Sequence, residues 1–137
     1  MVKRDYLYYY DRWFAGVRAE LDIVYEDPSS VRKANRGSDT WRKAAADIAK
    51  YYPEKIPHFA ELLKHEEEEI RSHAAVSIIQ YIPHTKNDLK KSIAIIQERM
   101  ATCTPSTRMA WEWFLNQPWA SEESCITERQ TEDEEEC

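Results

Sequence analysis

The chain has 137 residues, 25 acidic and 19 basic side chains, a formal net charge of −6 and only two glycines, Gly16 and Gly37. That length suits one domain whose core needs no disulfide or metal to hold it. Ala, Leu, Ile, Glu, Lys, Arg and Gln dominate long stretches and favour helices, and no segment is apolar for long enough to span a bilayer.

A first helix is expected over residues 5–25, where Leu7, Tyr10, Phe14, Val17, Leu21 and Val24 recur at three- and four-residue steps and would share one buried face. Asp27-Pro28-Ser29-Ser30 breaks it and caps a short helix over 31–36, which Gly37 should stop. Ser38 or Asp39 then caps a helix that lasts to Tyr51-Tyr52-Pro53. Further helices are expected over 56–65, 67–81, 87–100 and 106–116. Nothing alternates with a period of two for long enough to suggest a sheet.

Charge is unevenly spread. Residues 121–137 hold eight acids and one base, a net of −7, while the remainder is close to neutral at +1. A segment so rich in like charges and so poor in apolar residues is expected to be a disordered tail. The opening MVKRDYLYYYDRW lacks the apolar run of a signal peptide, which gives the expectation of a cytoplasmic protein. Cys103, Cys125 and Cys137 are odd in number and far apart, so they read as free thiols.

The chain also resembles itself. A slide of thirty residues sets WRKAAADIAKYYP (41–53) on RSHAAVSIIQYIP (71–83), pairing Ala44 with Ala74, Ala45 with Ala75, Ile48 with Ile78, Tyr51 with Tyr81 and Pro53 with Pro83. A slide of thirty-five brings Ala75, Ile78 and Pro83 onto Ala110, Trp113 and Pro118 as a weaker third copy. Periods of this length, each a helical hairpin ending in proline, are what stacked repeats produce, because one hairpin cannot bury its apolar face alone. The alanines would let helices approach closely, and the isoleucines or the tryptophan would fill the seam.

Within Leu62-Leu63-Lys64-His65-Glu66-Glu67-Glu68-Glu69-Ile70-Arg71-Ser72-His73-Ala74-Ala75, acids precede a β-branched residue, an arginine and paired alanines. That run resembles the HEAT-like repeat. Residues 10–117, with Met109-Ala110-Trp111-Glu112-Trp113 near their end, are similar to a bacterial family of small HEAT-like proteins. The resemblance implies an all-α fold, a short right-handed α-solenoid of HEAT-like hairpins with about six to seven helices over 1–120, followed by the acidic tail over 121–137. It is nearly silent about function, since such repeats serve as binding surfaces in unrelated systems.

Candidate chemistry is sparse. His65, Glu69 and His73 are spaced at four and four, but the zinc-protease pattern needs two histidines one turn apart with a glutamate beside the first. Glu66 to Glu69 suit the start of a helix, where acids meet free amides and the positive end of the dipole. No glycine-rich phosphate loop and no serine elbow occurs. No catalytic, metal-binding or cofactor-binding residue is therefore assigned, and no enzymatic activity is expected.

A binding surface is the alternative to a reaction. Equivalent outward positions of the repeats are Lys43, Asp47 and Lys50, then His73, Ser77 and Gln80, then Arg108 and Glu112. The row mixes both signs of charge and suits a protein partner better than a uniform phosphate backbone. Tyr6, Tyr8, Tyr9 and Tyr10 occupy several faces of the first helix and cannot all be core, so Tyr8 joins the candidates as an aromatic anchor. Glu66, Glu67 and Glu69 would steer a basic partner. Immunity proteins of bacterial toxin systems, including contact-dependent growth inhibition, are similar in size and compartment. That likeness implies a cognate toxin, most readily a nuclease, as the partner. The competing expectations are a nucleic-acid-binding repeat using Arg32, Lys33, Arg36, Arg42 and Lys43, and a generic assembly adaptor.

Overall fold

The computed structural model describes residues 4–125. Among the described residues every regular element is helical, with six α-helices, four short 3-10 turns and no strand. No helix among them is long and apolar enough to cross a membrane. The chain falls into two units, Met1–Glu61 and Leu62–Cys137.

In the first unit, α1 (Tyr6–Leu21) begins at Asp5, whose carboxylate accepts from the Tyr8 amide at 2.9 Å. Asp27 and Pro28 start α2 (Pro28–Tyr51) in the manner expected of an acceptor followed by a preset φ. The expected stop at Gly37 does not occur: α2 runs unbroken through it for 24 residues. The reason lies in packing rather than in local preference. A Cβ on Gly16 would stand 2.6 Å from the Gly37 carbonyl oxygen and 2.6 Å from the Trp41 amide nitrogen, and one on Gly37 would stand 2.7 Å from the Gly16 oxygen. Both glycines of the chain thus serve one contact, in which two helix backbones touch.

This contact sets the buried face of α1. Tyr6, Tyr9, Trp13, Gly16 and Val17 are inside, whereas Leu7, Leu21 and Val24 of the expected face are exposed. Val17 of the expected face is buried and Tyr10 and Phe14 are half-buried, so the buried stripe is turned from the expected one rather than opposite to it; glycine carries no hydrophobic signal and the tyrosines fitted either face. Beyond the glycines, Glu20 accepts from Ser38 Oγ and from Trp41 Nε1, each at 2.6 Å. Trp13 stands edge-on to Phe59 of α3 (Ile56–Ala60), with ring centroids 5.2 Å apart. The Tyr6 hydroxyl and His58 Nδ1 share a hydrogen bond at 2.7 Å. Burial pushes the Tyr6 hydroxyl well above the ordinary phenol range, with Tyr10 adding to the effect, so it stays protonated.

The second unit holds α4 (Glu68–Gln80), α5 (Lys86–Met100) and α6 (Pro105–Leu115). Ile70, Ala74, Ala75, Ile78 and Ile79 of α4 are buried, as are Leu89 and Ile96 of α5. Across these helices Arg99 donates to Glu69 Oε2 at 3.1 Å and to Ser72 Oγ at 2.8 Å, with Glu68 Oε2 at 3.5 Å from its Nε. His84 is buried between carbonyls: its Nδ1 lies 2.7 Å from the Ile78 oxygen and 2.9 Å from that of Ile82, so this nitrogen carries a proton. Its Nε2 meets Ser124 Oγ at 2.9 Å, which ties the 3-10 turn Glu122–Ser124 to the end of α4. The first residues of the tail expected over 121–137 thus include a 3-10 turn, and its residues 126–137 lie outside the described residues.

The first two copies of the internal repeat bury matching positions: Ala44, Ala45 and Ile48 on α2, Ala74, Ala75 and Ile78 on α4. The third does not. Ala110 is exposed and Trp113 is 61% exposed, so neither fills a seam. Trp111, Phe114 and Leu115 instead supply the half-buried side of α6, where Phe114 packs on Trp119 at 5.5 Å.

Candidate interaction groove

The antiparallel hairpin of α1 and α2 leaves a groove of about 570 Å³ at the end away from its loop. Its α1 wall is Arg4, Tyr8, Tyr9 and Arg12; its α2 wall is Asp39, Thr40, Lys43, Ala44, Asp47 and Tyr51. Helical geometry explains both walls. Tyr8 and Arg12 are four apart on α1, as are Asp39, Lys43 and Asp47 on α2, and side chains at that spacing stack on one face; Arg4 precedes the Asp5 cap and lines the groove from outside the helix. Where the backbones touch at the glycines no such space can open, so the groove forms where bulky tyrosines hold the helices apart. Tyr9 and Tyr51 form that wedge, stacked with centroids 6.0 Å apart and planes 20° from parallel.

Cations and rings are interleaved on the α1 wall. The Arg4 guanidinium lies 4.1 Å from the centre of the Tyr8 ring and that of Arg12 lies 5.7 Å from it. Such contacts stabilise by roughly 0.5–1 kcal/mol at exposed sites and also hold two mobile side chains near one place. The Arg4 backbone is fixed as well, its amide donating to Tyr9 Oη at 3.2 Å and its carbonyl accepting from Tyr52 at 2.7 Å. Across the groove, Lys43 pairs with Asp47 at 3.5 Å. Neither Arg4 nor Arg12 has a carboxylate partner among the described residues.

Three of the residues expected at a binding surface, Tyr8, Lys43 and Asp47, meet in this groove. Lys50 is exposed one turn beyond, its Nζ 5.1 Å from the Tyr51 ring centre. The counterparts on α4 do not form a similar row. Ser77, expected to face outward, is fully buried and donates to the His73 carbonyl at 2.8 Å; a small hydroxyl that bonds the preceding turn loses nothing by burial. His73 is half-buried with Nδ1 2.7 Å from the Glu69 oxygen, and Gln80 is half-buried. On α6, Arg108 and Glu112 are exposed as expected.

Of the acids before α4, Glu66 and Glu67 are exposed. Glu69 is instead engaged by Arg99, which draws its charge into the α4 and α5 contact. The turn carrying Glu66 is pinned by Arg71, which donates to the carbonyls of His65 and Glu66. His65 precedes α4 and its Nδ1 accepts from the Glu67 amide at 3.0 Å. No group of three metal-ligating side chains occurs among the described residues.

The basic run resolves into faces. Arg32, Arg36 and Lys43 lie within a narrow arc of α2 by the helical angle, with Arg42 and Lys33 to either side. Asp39 and Asp47 fall on that same arc, so the sign of charge alternates along it. Arg4, Arg12 and Asp39 are groove residues that inspection of the sequence did not single out. Their four-residue spacing was visible, but its meaning depended on which stripe of α1 faced α2.

Compared with known proteins, the chain matches no family model, no curated protein and no solved structure.

Proposed function

We propose that the protein is a non-enzymatic protein-binding module that engages its partner through the α1 and α2 groove. The alternation of charge along that groove carries the reading. A phosphate backbone presents one sign of charge throughout and favours uninterrupted cations, whereas Asp39 and Asp47 interrupt Arg4, Arg12 and Lys43. A folded protein partner offers both signs and hydrogen-bonding groups between them, which is what such a surface selects. Tyr8 and Tyr51 add aromatic area of the kind that anchors interfaces.

The matched burial of Ala44, Ala45 and Ile48 with Ala74, Ala75 and Ile78 supports a HEAT-like hairpin repeat stacked as a short solenoid. Within this class the partner is a cognate bacterial toxin, most readily a nuclease, and the protein is its cytoplasmic immunity protein. The exposed Glu66 and Glu67 support that finer reading, since they would favour approach to a basic catalytic cleft. Reconstitution with a purified candidate toxin tests it. Stoichiometric binding with loss of the toxin's activity, and no turnover by the immunity protein, is the expected result. Protein that instead purifies with nucleic acid, and binds no protein partner, would overturn both the general and the finer reading.

A further inference from the structure

We infer that the groove of the first unit takes an acidic peptide segment of the partner, with two carboxylates held by Arg4 and Arg12. The inference rests on the reading that the partner is a protein and names the chemistry of what this groove recognises. It starts from an imbalance. Lys43 already has Asp47 at 3.5 Å, while the guanidiniums of Arg4 and Arg12, which line the groove, lie by the Tyr8 ring and pair with no carboxylate among the described residues. A guanidinium held against a ring face spends none of its N–H donors on that contact, and those donors match a carboxylate two at a time.

Geometry limits the form of the ligand. Both guanidinium carbons are gathered on one ring, so their separation cannot exceed the sum of 4.1 Å and 5.7 Å. In an extended peptide, side chains two residues apart leave on the same side and stand about 7 Å apart. A Glu-Xaa-Glu segment therefore matches the spacing available to the two arginines. The stacked Tyr9 and Tyr51 form the floor at this end, and Thr40 lies on the opposite wall. Asp39 gives the groove its preference for a peptide over a nucleic acid, because a carboxylate there repels a continuous phosphate chain but can accept from a peptide N–H or a lysine.

A fluorescein-labelled peptide, Gly-Ser-Glu-Ser-Glu-Ser-Gly, titrated with the full-length protein at low salt and followed by anisotropy, tests this. Saturable binding is expected. Replacing both glutamates of the peptide by glutamine, or making Arg12→Gln in the protein, should weaken it about tenfold. Arg12→Lys should recover only part of the loss, since it restores charge without the planar fork. Asp39→Asn should tighten binding by removing a repulsive charge. Arg12 and Asp39 are exposed, so unchanged helicity of these variants by circular dichroism is the expected control. Binding that is absent, or equal for the parent and Arg12→Gln, overturns the inference. So does tighter binding of an oligothymidylate of similar length that is also lost in Arg12→Gln. A purified protein partner that binds the parent and Arg12→Gln equally overturns this assignment of the groove while leaving the binding-module reading intact.

Discussion

The two units join their helices by different means. In the first, α1 meets α2 through backbone, at Gly16 and Gly37, with tryptophan and tyrosine filling the flanks. In the second, α4 meets α5 through side chains, with isoleucine and leucine inside and Arg99 closing the edge. A side-chain contact can absorb a small change by shifting rotamers, whereas two touching backbones have nothing that can move aside. The first unit should therefore be more sensitive to added atoms and the second to removed ones.

The largest expected effect is in the second unit. Ile78→Ala should cost roughly 2–5 kcal/mol, because Ile78 is almost wholly buried and its removal leaves a cavity that α4 cannot close. Urea denaturation followed by circular dichroism would measure it, and a loss below half a kcal/mol would remove Ile78 from the core.

Next comes the first unit, where adding one methyl group is the sharper probe. Gly16→Ala and Gly37→Ala should each destabilise by about 1–3 kcal/mol, since the new Cβ meets backbone atoms 2.6–2.7 Å away. An open helical glycine would respond in the opposite direction, gaining up to about 1 kcal/mol on replacement by alanine. A gain in either variant would thus show that the helices are not in contact there.

A smaller effect tests electrostatics within α5. Burial pushes the Asp88 carboxyl above the usual carboxylate range, against the lowering influence of Lys91 and His84. The folded state therefore takes up this proton at a higher pH than the unfolded chain does. The carboxylate opposes folding above its raised pKa, and that opposition disappears as pH falls below the ordinary Asp value. Asp88→Asn should accordingly be slightly more stable than the parent near pH 7, where the folded carboxylate is charged. The advantage should vanish under acid conditions, and a difference independent of pH would show that Asp88 is not desolvated. At the lower end, Trp113→Ala should shift stability by no more than about 0.5 kcal/mol, as exposed positions do. A large loss would restore the third repeat copy to the core.

These comparisons also separate what could be read from residues from what could not. Helices α4, α5 and α6 were placed within a residue or two of their ends; in the structure Thr85 and Thr104, which the sequence reading did not name, cap α5 and α6 by accepting from the amides three residues on. The aliphatic repeat correctly marked Ala44, Ala45, Ile48, Ala74, Ala75 and Ile78 as inside. Failures clustered where a residue has two uses. Gly37 can end a helix or let another approach, and Ser77 can face water or bond the preceding turn. In the groove, Tyr8, Lys43 and Asp47 were legible as surface candidates, but Arg4, Arg12 and Asp39 were not.

Composition and spacing alone determined that the chain is helical, where most helices begin, and that the face of α2 carries both signs of charge. Those properties depend on local propensity, caps and periodicity, which act within a few turns. The tertiary structure alone decided which stripe of α1 is buried, that α2 continues through Gly37, and that Arg4 and Arg12 gather about the Tyr8 ring in a groove shared with Asp39. The first two depend on how close two distant segments can come, and that closeness is allowed by the absence of side chains at Gly16 and Gly37.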